Sequence, residues 1–258
     1  MLNLNLLDND IDKNVSNSKF PKLEQLSPTS LHICIYTLFK RQLTPFSLLF
    51  GFDETFKVAE LNHQVYADLH DYTFLIGRET KFKIPAWEKI NSLKNELDSN
   101  SSCNWFWFAD ADLYIVNKSV SLISLIEEAI KVHSKNNEHE LEMIFGQDYS
   151  DFVINAGSFL IRNSLFIKNF IPFWLDLEKE NYPLAEQESF AVLYKQNFLN
   201  IQKRSFITPM RTINSYCKEH EIERLRFHDG DFVVHFPGQC KQRHKSFVKQ
   251  NKHLLVNY

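Results

Sequence analysis

The stretch "NWFWFADADLYIVN", residues 104–117, decides how the chain is read. An aromatic run, Trp105 to Phe108, leads straight into Asp110 and Asp112, and the chain turns apolar again at Leu113. Burying an unpaired carboxylate costs several kcal/mol, so acids set between two apolar segments need a cation, hydrogen bonds or water. In extended backbone, residues i and i+2 point to the same side, so both acids can face one space while Ala111 turns away. A hard divalent ion such as Mn²⁺ or Mg²⁺ suits that space, because it takes carboxylates together with the oxygens of a bound phosphate. The pair alone leaves two readings open, a metal site and a solvated loop closing a strand.

Working outward, the aromatic run is the third of several short β-rich segments separated by helical patterns. "LHICIYTLF" from Leu31 and "YTFLIG" from Tyr72 precede it, and "EMIFGQD" from Glu142 follows. Between them, Val58, Leu61, Val65 and Leu69 recur at helical steps, as do Trp87, Ile90, Leu93 and Leu97 after Pro85, with Lys89 on a different face. "SVSLISLIEEAIKVHS" predicts a helix capped by Ser119. This alternation predicts an α/β fold with a mostly parallel central sheet flanked by helices and ligands at the carboxyl ends of its strands.

The later pattern is less regular. "NAGSFLIRNS" predicts a strand and turn, "LFIKNFIPFWLDLEKE" a helix disturbed by Pro172, "EQESFAVLYKQ" a helix, and "GDFVVHFPG" a last strand. Residues 1–29, rich in Asn, Asp, Ser and Lys, predict a flexible tail before a single domain over 30–258.

A chain of 258 residues with 44% hydrophobic residues can bury a substantial core, and a net charge of -3 offers no field to draw nucleic acid or anionic lipid. The four cysteines form no C-x-x-C pair and are read as free thiols. The absence of a long apolar run or signal peptide leads to an expectation of a cytoplasmic chain.

His235, in "VVHFPG", is a second candidate ligand if the last strand returns beside the third; a core histidine bonded to backbone is the other reading. Glu186, Gln187 and Glu188 are candidates for contact with a substrate, against the alternative of a solvated helix start.

Several segments in order, "HQVYADLHDYTFLI", "AWEKI", "WFWFADADLYIVN", "IFGQD", "NAGSFLIRNS", "EQESFA", "RTINSY" and "GDFVVHFPG", resemble glycosyltransferase family 34, a group of galactosyl-, mannosyl- and xylosyltransferases. The resemblance implies a GT-A fold, with a nucleotide-binding half over about 30–118 and an acceptor half over about 119–258. It implies a retaining, Mn²⁺-dependent (or Mg²⁺-dependent) transfer of a hexose or pentose from a nucleotide-sugar donor, with UDP the expected nucleotide, to a hydroxyl of a glycan or other acceptor. By position, Asp110, Asp112 and His235 would hold the metal. Thr37, Lys89, Ala111, Asn155, Ala156, Gly157, Gly238 and Lys241 would lie at the donor, and Gln187, Glu186 and Asp148 at the reacting sugar. In plant relatives paired Asp precedes that Gln, whereas here Ala185 and Glu186 stand in their place. With no nucleophile standing out, attack is expected on the front face, the leaving phosphate oxygen taking the acceptor's proton. The alternative is a nucleotide-sugar-binding protein of the same fold without turnover; a phosphohydrolase would need more acids and histidines around the metal.

Overall fold

The computed structural model describes residues 31–39, 52–78, 82, 84–99, 102–135, 137–149 and 153–257, so the expected tail over residues 1–29 lies outside it. Eight strands are present among these residues: β1 (Ile33–Leu38), β2 (Thr73–Gly77), β3 (Trp105–Ala109), β4 (Leu113–Ile115), β5 (Met143–Gln147), β6 (Ile154–Arg162), β7 (Ser205–Thr208) and β8 (Val233–His235). The α-helices are α1 (Phe52–His70), α2 (Pro85–Ser99), α3 (Leu122–Ser134), α4 (Leu165–Asp176), α5 (Ala185–Lys195), the single turn α6 (Ile201–Arg204) and α7 (Lys241–Val256).

Six strands form one sheet in the order β2-β1-β3-β6-β5-β7, and β4 pairs with β8 in a separate antiparallel ribbon. Within the large sheet only β6 runs against its neighbours, so the expected mostly parallel α/β architecture holds. Parallel strands end on one edge, which collects the carboxyl ends of β1, β3 and β5.

Alternation along β3 divides the core. Phe106 and Phe108 pack with Trp87 and Leu93 of α2, Phe170 and Trp174 of α4, and Phe190 of α5. Trp105 and Trp107 face the other way, into a cluster with Tyr66 of α1 and Ile126 of α3. A third cluster seats α7, through Val248 and Leu255, against Tyr114 of β4 and Val234 of β8.

Several expectations are corrected. Cys34 is bonded to Cys103 and Cys217 to Cys240, so the four cysteines are not free thiols. The first pair spans β1 and the approach to β3, neighbours in the sheet but 69 residues apart in sequence, which linear spacing hides. The cap of α3 is Ser121, whose hydroxyl accepts from the Ser124 N–H, while Ser119 bonds the Asn117 side chain. Helix α4 continues through Pro172 to Asp176.

The α1 stripe is also shifted: Leu61 and Leu69 are exposed, and the buried face carries Asn62 and His63. These two polar residues grip β4. Asn62 accepts from Ile115 N at 2.7 Å and donates to Ile115 O at 2.9 Å, and His63 Nε2 donates to Leu113 O at 3.0 Å. The strand that follows Asp112 is thereby pinned to a helix.

Candidate metal and sugar site

The two acids lie in a turn rather than in continuous strand. β3 ends at Ala109, Leu113 N donates to Asp110 O at 3.0 Å, and β4 begins at once. The turn, not strand alternation, brings Asp110 and Asp112 to one side, while Ala111 packs towards the α7 cluster. β8 lies against β4 rather than beside the third strand, with His235 directly across from Leu113, and this pairing brings the histidine to the acids. His235 Nε2 lies 3.2 Å from Asp112 Oδ1 and 3.8 Å from Asp110 Oδ2.

One ligand atom from each of Asp110, Asp112 and His235 falls within 4.8 Å of the others, a set that could hold a metal ion. Oxygen, oxygen and imidazole nitrogen suit Mn²⁺ and leave coordination positions for substrate oxygens. The charges ask for a cation as well. Burial raises the Asp110 carboxyl above its ordinary value, Lys89 opposes that rise, and repulsion from Asp112 adds to it. For Asp112, burial alone would act upward, but His235, with His244 and Lys241, holds the carboxyl well below the usual range. Ionising Asp110 beside Asp112 is thus disfavoured by burial and repulsion, and favoured by positive charge close by.

Lys89 of α2 reaches under this site. Its ammonium lies 3.1 Å from Asp110 Oδ1 and 2.9 Å from Glu186 Oε1, and donates to Ala156 O at 3.0 Å. An ammonium has three N–H donors, so all are engaged inside the protein. Burial by itself would lower the Lys89 pKa; Asp110 and Glu186 reverse this and keep the charge in place. The ring of Phe108 lies 4.9 Å away beneath it. Glu186 is buried with Lys89 and is not part of a solvated helix start.

β6 supplies the floor. Its register with β5 shifts between Phe145 and Gly146, a bulge that releases residues 156–158 from that neighbour. The freed Ala156 N donates to Gln187 Oε1 at 3.1 Å, and Gly157 O accepts from Asp110 N at 2.8 Å. "NAGSF" therefore lies within the expected strand. A Cβ at Gly157 would overlap the His235 ring, so this position has to lack a side chain.

Asp148, at the end of β5, is enclosed by donors: Tyr149 N at 2.8 Å, Tyr216 Oη at 3.2 Å, Gln187 Nε2 at 3.2 Å and Asn155 Nδ2 at 3.3 Å. Asn155 in turn accepts from Asn214 Nδ2 at 2.7 Å, and Asn214 Oδ1 meets His235 Nδ1 at 2.8 Å. Of the residues named from sequence, Lys89, Asp110, Asp112, Asp148, Asn155, Ala156, Gly157, Glu186, Gln187 and His235 form one connected group. Thr37 stands outside it, fully buried with its hydroxyl donating to His63 at 2.9 Å. Gly238 and Lys241 are exposed at the turn that opens α7. Sequence reasoning missed Asn214 and Tyr216, although both lie in the quoted "RTINSY".

Residues 51–246 match the model of the galactosyl transferase GMA12/MNN10 family. The chain belongs to this family. It is 29% identical over 213 residues to the probable alpha-1,6-mannosyltransferase MNN10 of Saccharomyces cerevisiae, covering 69% of this chain and 53% of that protein. It is 28% identical over 224 residues to an uncharacterized alpha-1,2-galactosyltransferase of Schizosaccharomyces pombe, covering 73% of this chain and 58% of the relative. The chain thus spans little more than half the length of these curated relatives. Its fold is similar to the crystal structure of a glycosyltransferase involved in the glycosylation of the major capsid of PBCV-1. That likeness has a TM-score of 0.64 at 16% identity and covers 85% of this chain and 99% of that one. The GT-A-type fold expected from sequence agrees with that neighbour. Among the described residues, no helix is long and apolar enough to cross a membrane.

Proposed function

We propose that the chain is a metal-dependent glycosyltransferase that moves a sugar from a nucleoside diphosphate donor, UDP-linked, to a hydroxyl of a glycan or similar acceptor. The observation that carries this reading is the convergence of Asp110, Asp112 and His235 at the carboxyl edge of the sheet in a member of a galactosyl transferase family. A divalent ion held there, Mn²⁺ or Mg²⁺, would supply a positive charge for the diphosphate as its bond to the sugar breaks.

The chain's own groups fit the remaining tasks. Lys241, exposed at the start of α7, can approach a phosphate, whereas Lys89 has its donors occupied and serves to hold Asp110 and Glu186. Asp148 has four donors around it and Glu186 is tied to Lys89, so neither is presented as a nucleophile. This supports transfer with retention by front-face attack, the leaving phosphate oxygen accepting the proton of the acceptor hydroxyl.

A panel of UDP- and GDP-sugars assayed for Mn²⁺-dependent nucleotide release tests the proposal. Release with one donor, abolished in Asp112→Ala with the fold retained, is the expected result. Calorimetric binding of UDP with Mn²⁺ but no release from any donor would instead favour a binding protein of the same fold. No Mn²⁺ binding at all would remove the metal site.

A further inference from the structure

We propose that Asn214 is a positioning residue that fixes the proton of His235 on Nδ1 and so leaves Nε2 bare towards Asp110 and Asp112. The inference rests on the metal reading above and deepens it. It follows from the direction of each hydrogen bond in a buried chain anchored at two points that cannot reverse.

The first anchor is backbone. Gly157 N–H can only donate, and it donates to Asn155 Oδ1 at 2.8 Å, which fixes the Asn155 oxygen on that side. The second anchor is the Asp148 carboxylate, an acceptor, which takes Asn155 Nδ2 at 3.3 Å; the same nitrogen donates to Tyr216 Oη at 2.7 Å. Both anchors set the Asn155 amide the same way round. Asn155 Oδ1 must then receive a donor from Asn214, and it does so from Nδ2 at 2.7 Å, which turns Asn214 Oδ1 towards the imidazole. An amide oxygen only accepts, so the 2.8 Å contact with His235 Nδ1 requires a proton on Nδ1.

The members of this chain, Asp148, Asn155, Asn214, Tyr216 and His235, are all buried, so water does not compete for their bonds. The consequence is specific. An imidazole left to itself beside Asp112, 3.2 Å away, would place its proton on Nε2 and donate it to the carboxylate. Asn214 opposes that tautomer and presents a lone pair where a cation would bind. A ligating histidine held through its other nitrogen is the general arrangement at metal sites, and loss of the outer partner lowers affinity about 10- to 100-fold. Asp148, at the head of the chain, acts through Asn155 rather than on the sugar.

Two-bond ¹H–¹⁵N spectra of histidine-labelled, metal-free full chain, at a pH where the ring is neutral, read the tautomer directly. Wild type is expected to carry the His235 proton on Nδ1. Asn214→Leu, shown folded by near-ultraviolet circular dichroism, should move the proton to Nε2 and weaken Mn²⁺ binding by about 10- to 100-fold. Asn214→Asp keeps an acceptor for Nδ1–H but loses the donor to Asn155 Oδ1, so it should retain the wild-type tautomer at a cost in stability. A wild-type proton on Nε2, or a folded Asn214→Leu chain that binds Mn²⁺ as wild type does, overturns the inference. If Asn214→Leu does not fold, the wild-type spectrum and Asn214→Asp decide it. Wild type that carries the Nδ1 proton yet binds no Mn²⁺ would sink the metal reading while leaving the hydrogen-bond chain intact.

Discussion

The ammonium of Lys89 lies 2.9 Å from the carboxylate of Glu186, and both side chains are almost wholly enclosed. Removing one partner of a buried pair leaves an uncompensated charge, which costs more than the pair itself contributes. Lys89→Met should therefore lower stability in urea by about 3 kcal/mol, below the top of the usual range because Asp110 is partly open to water. Lys89→Met combined with Glu186→Leu should recover much of that loss. A cost under about 1 kcal/mol for the single change, with a raised donor KM instead, would mean that Lys89 serves the donor phosphates directly.

Gly157 makes a second, steric prediction. A methyl group there would overlap His235 Cε1 and lie 2.9 Å from both His235 Nδ1 and Asn155 Oδ1. Both neighbours are held by buried hydrogen bonds and cannot simply rotate away. Gly157→Ala should leave the sheet folded, since strand backbone accepts alanine, yet weaken Mn²⁺ binding at least tenfold through a displaced His235. Calorimetric titration of the folded variant with Mn²⁺ checks this, and unchanged affinity would place His235 outside the metal shell.

The aromatic run and the acids after it were legible because burial and charge conflict within a few residues. That conflict located the end of β3 and predicted a cation. The partner of the acids was also nameable, but its arrival depended on β8 pairing with β4, a contact more than a hundred residues apart in sequence. Asn214 and Tyr216 escaped notice because an amide and a phenol carry no charge to betray them; their role exists only in the direction of hydrogen bonds. The disulfides escaped for a related reason, since β1 and β3 become neighbours only once the sheet forms. β4 and β7, three and four residues long, and α7, whose pattern is dominated by basic residues, offered little apolar periodicity to read.

Two buried groups make stability depend on pH in opposite directions. His63 is fully buried and its pKa is lowered from 6.5 to about 4, first by burial. The unfolded chain therefore binds a proton there between pH 6.5 and 4 that the folded chain refuses, and stability falls as pH drops through this window. Glu142 is buried too, and burial outweighs Arg162 and Ser164 to raise its pKa from 4.5 to about 7. Here the folded chain holds the proton, so stability falls as pH rises from 4.5 to 7. Each effect has a ceiling of about 3 kcal/mol at 1.36 kcal/mol per pKa unit, and together they flatten the wild-type profile near pH 5–6. Glu142→Gln should unmask the His63 slope, with stability rising steadily from pH 4.5 to 6.5 in urea titrations. A variant profile as flat as wild type would show that the two do not oppose.

The two disulfides differ in the loops they close, with sequence separations of 69 residues for Cys34–Cys103 and 23 for Cys217–Cys240. A crosslink restricts the unfolded chain, more so for a longer loop, and chain-entropy estimates give about 4 kcal/mol for the first and about 3 for the second. Cys34→Ala with Cys103→Ala should therefore lower Tm more than Cys217→Ala with Cys240→Ala. The second pair has a local consequence as well. Cys240 immediately precedes Lys241, so breaking its bond to Cys217 loosens the turn that presents that lysine. The Cys217/Cys240 double variant should thus raise donor KM, while the Cys34/Cys103 variant should cost stability alone. Thiol titration of protein taken from its own cells adds a check on compartment: a reducing cytoplasm would leave four titratable thiols, and an oxidising one none. Equal losses of Tm together with an unchanged donor KM in both variants would sink this division of labour.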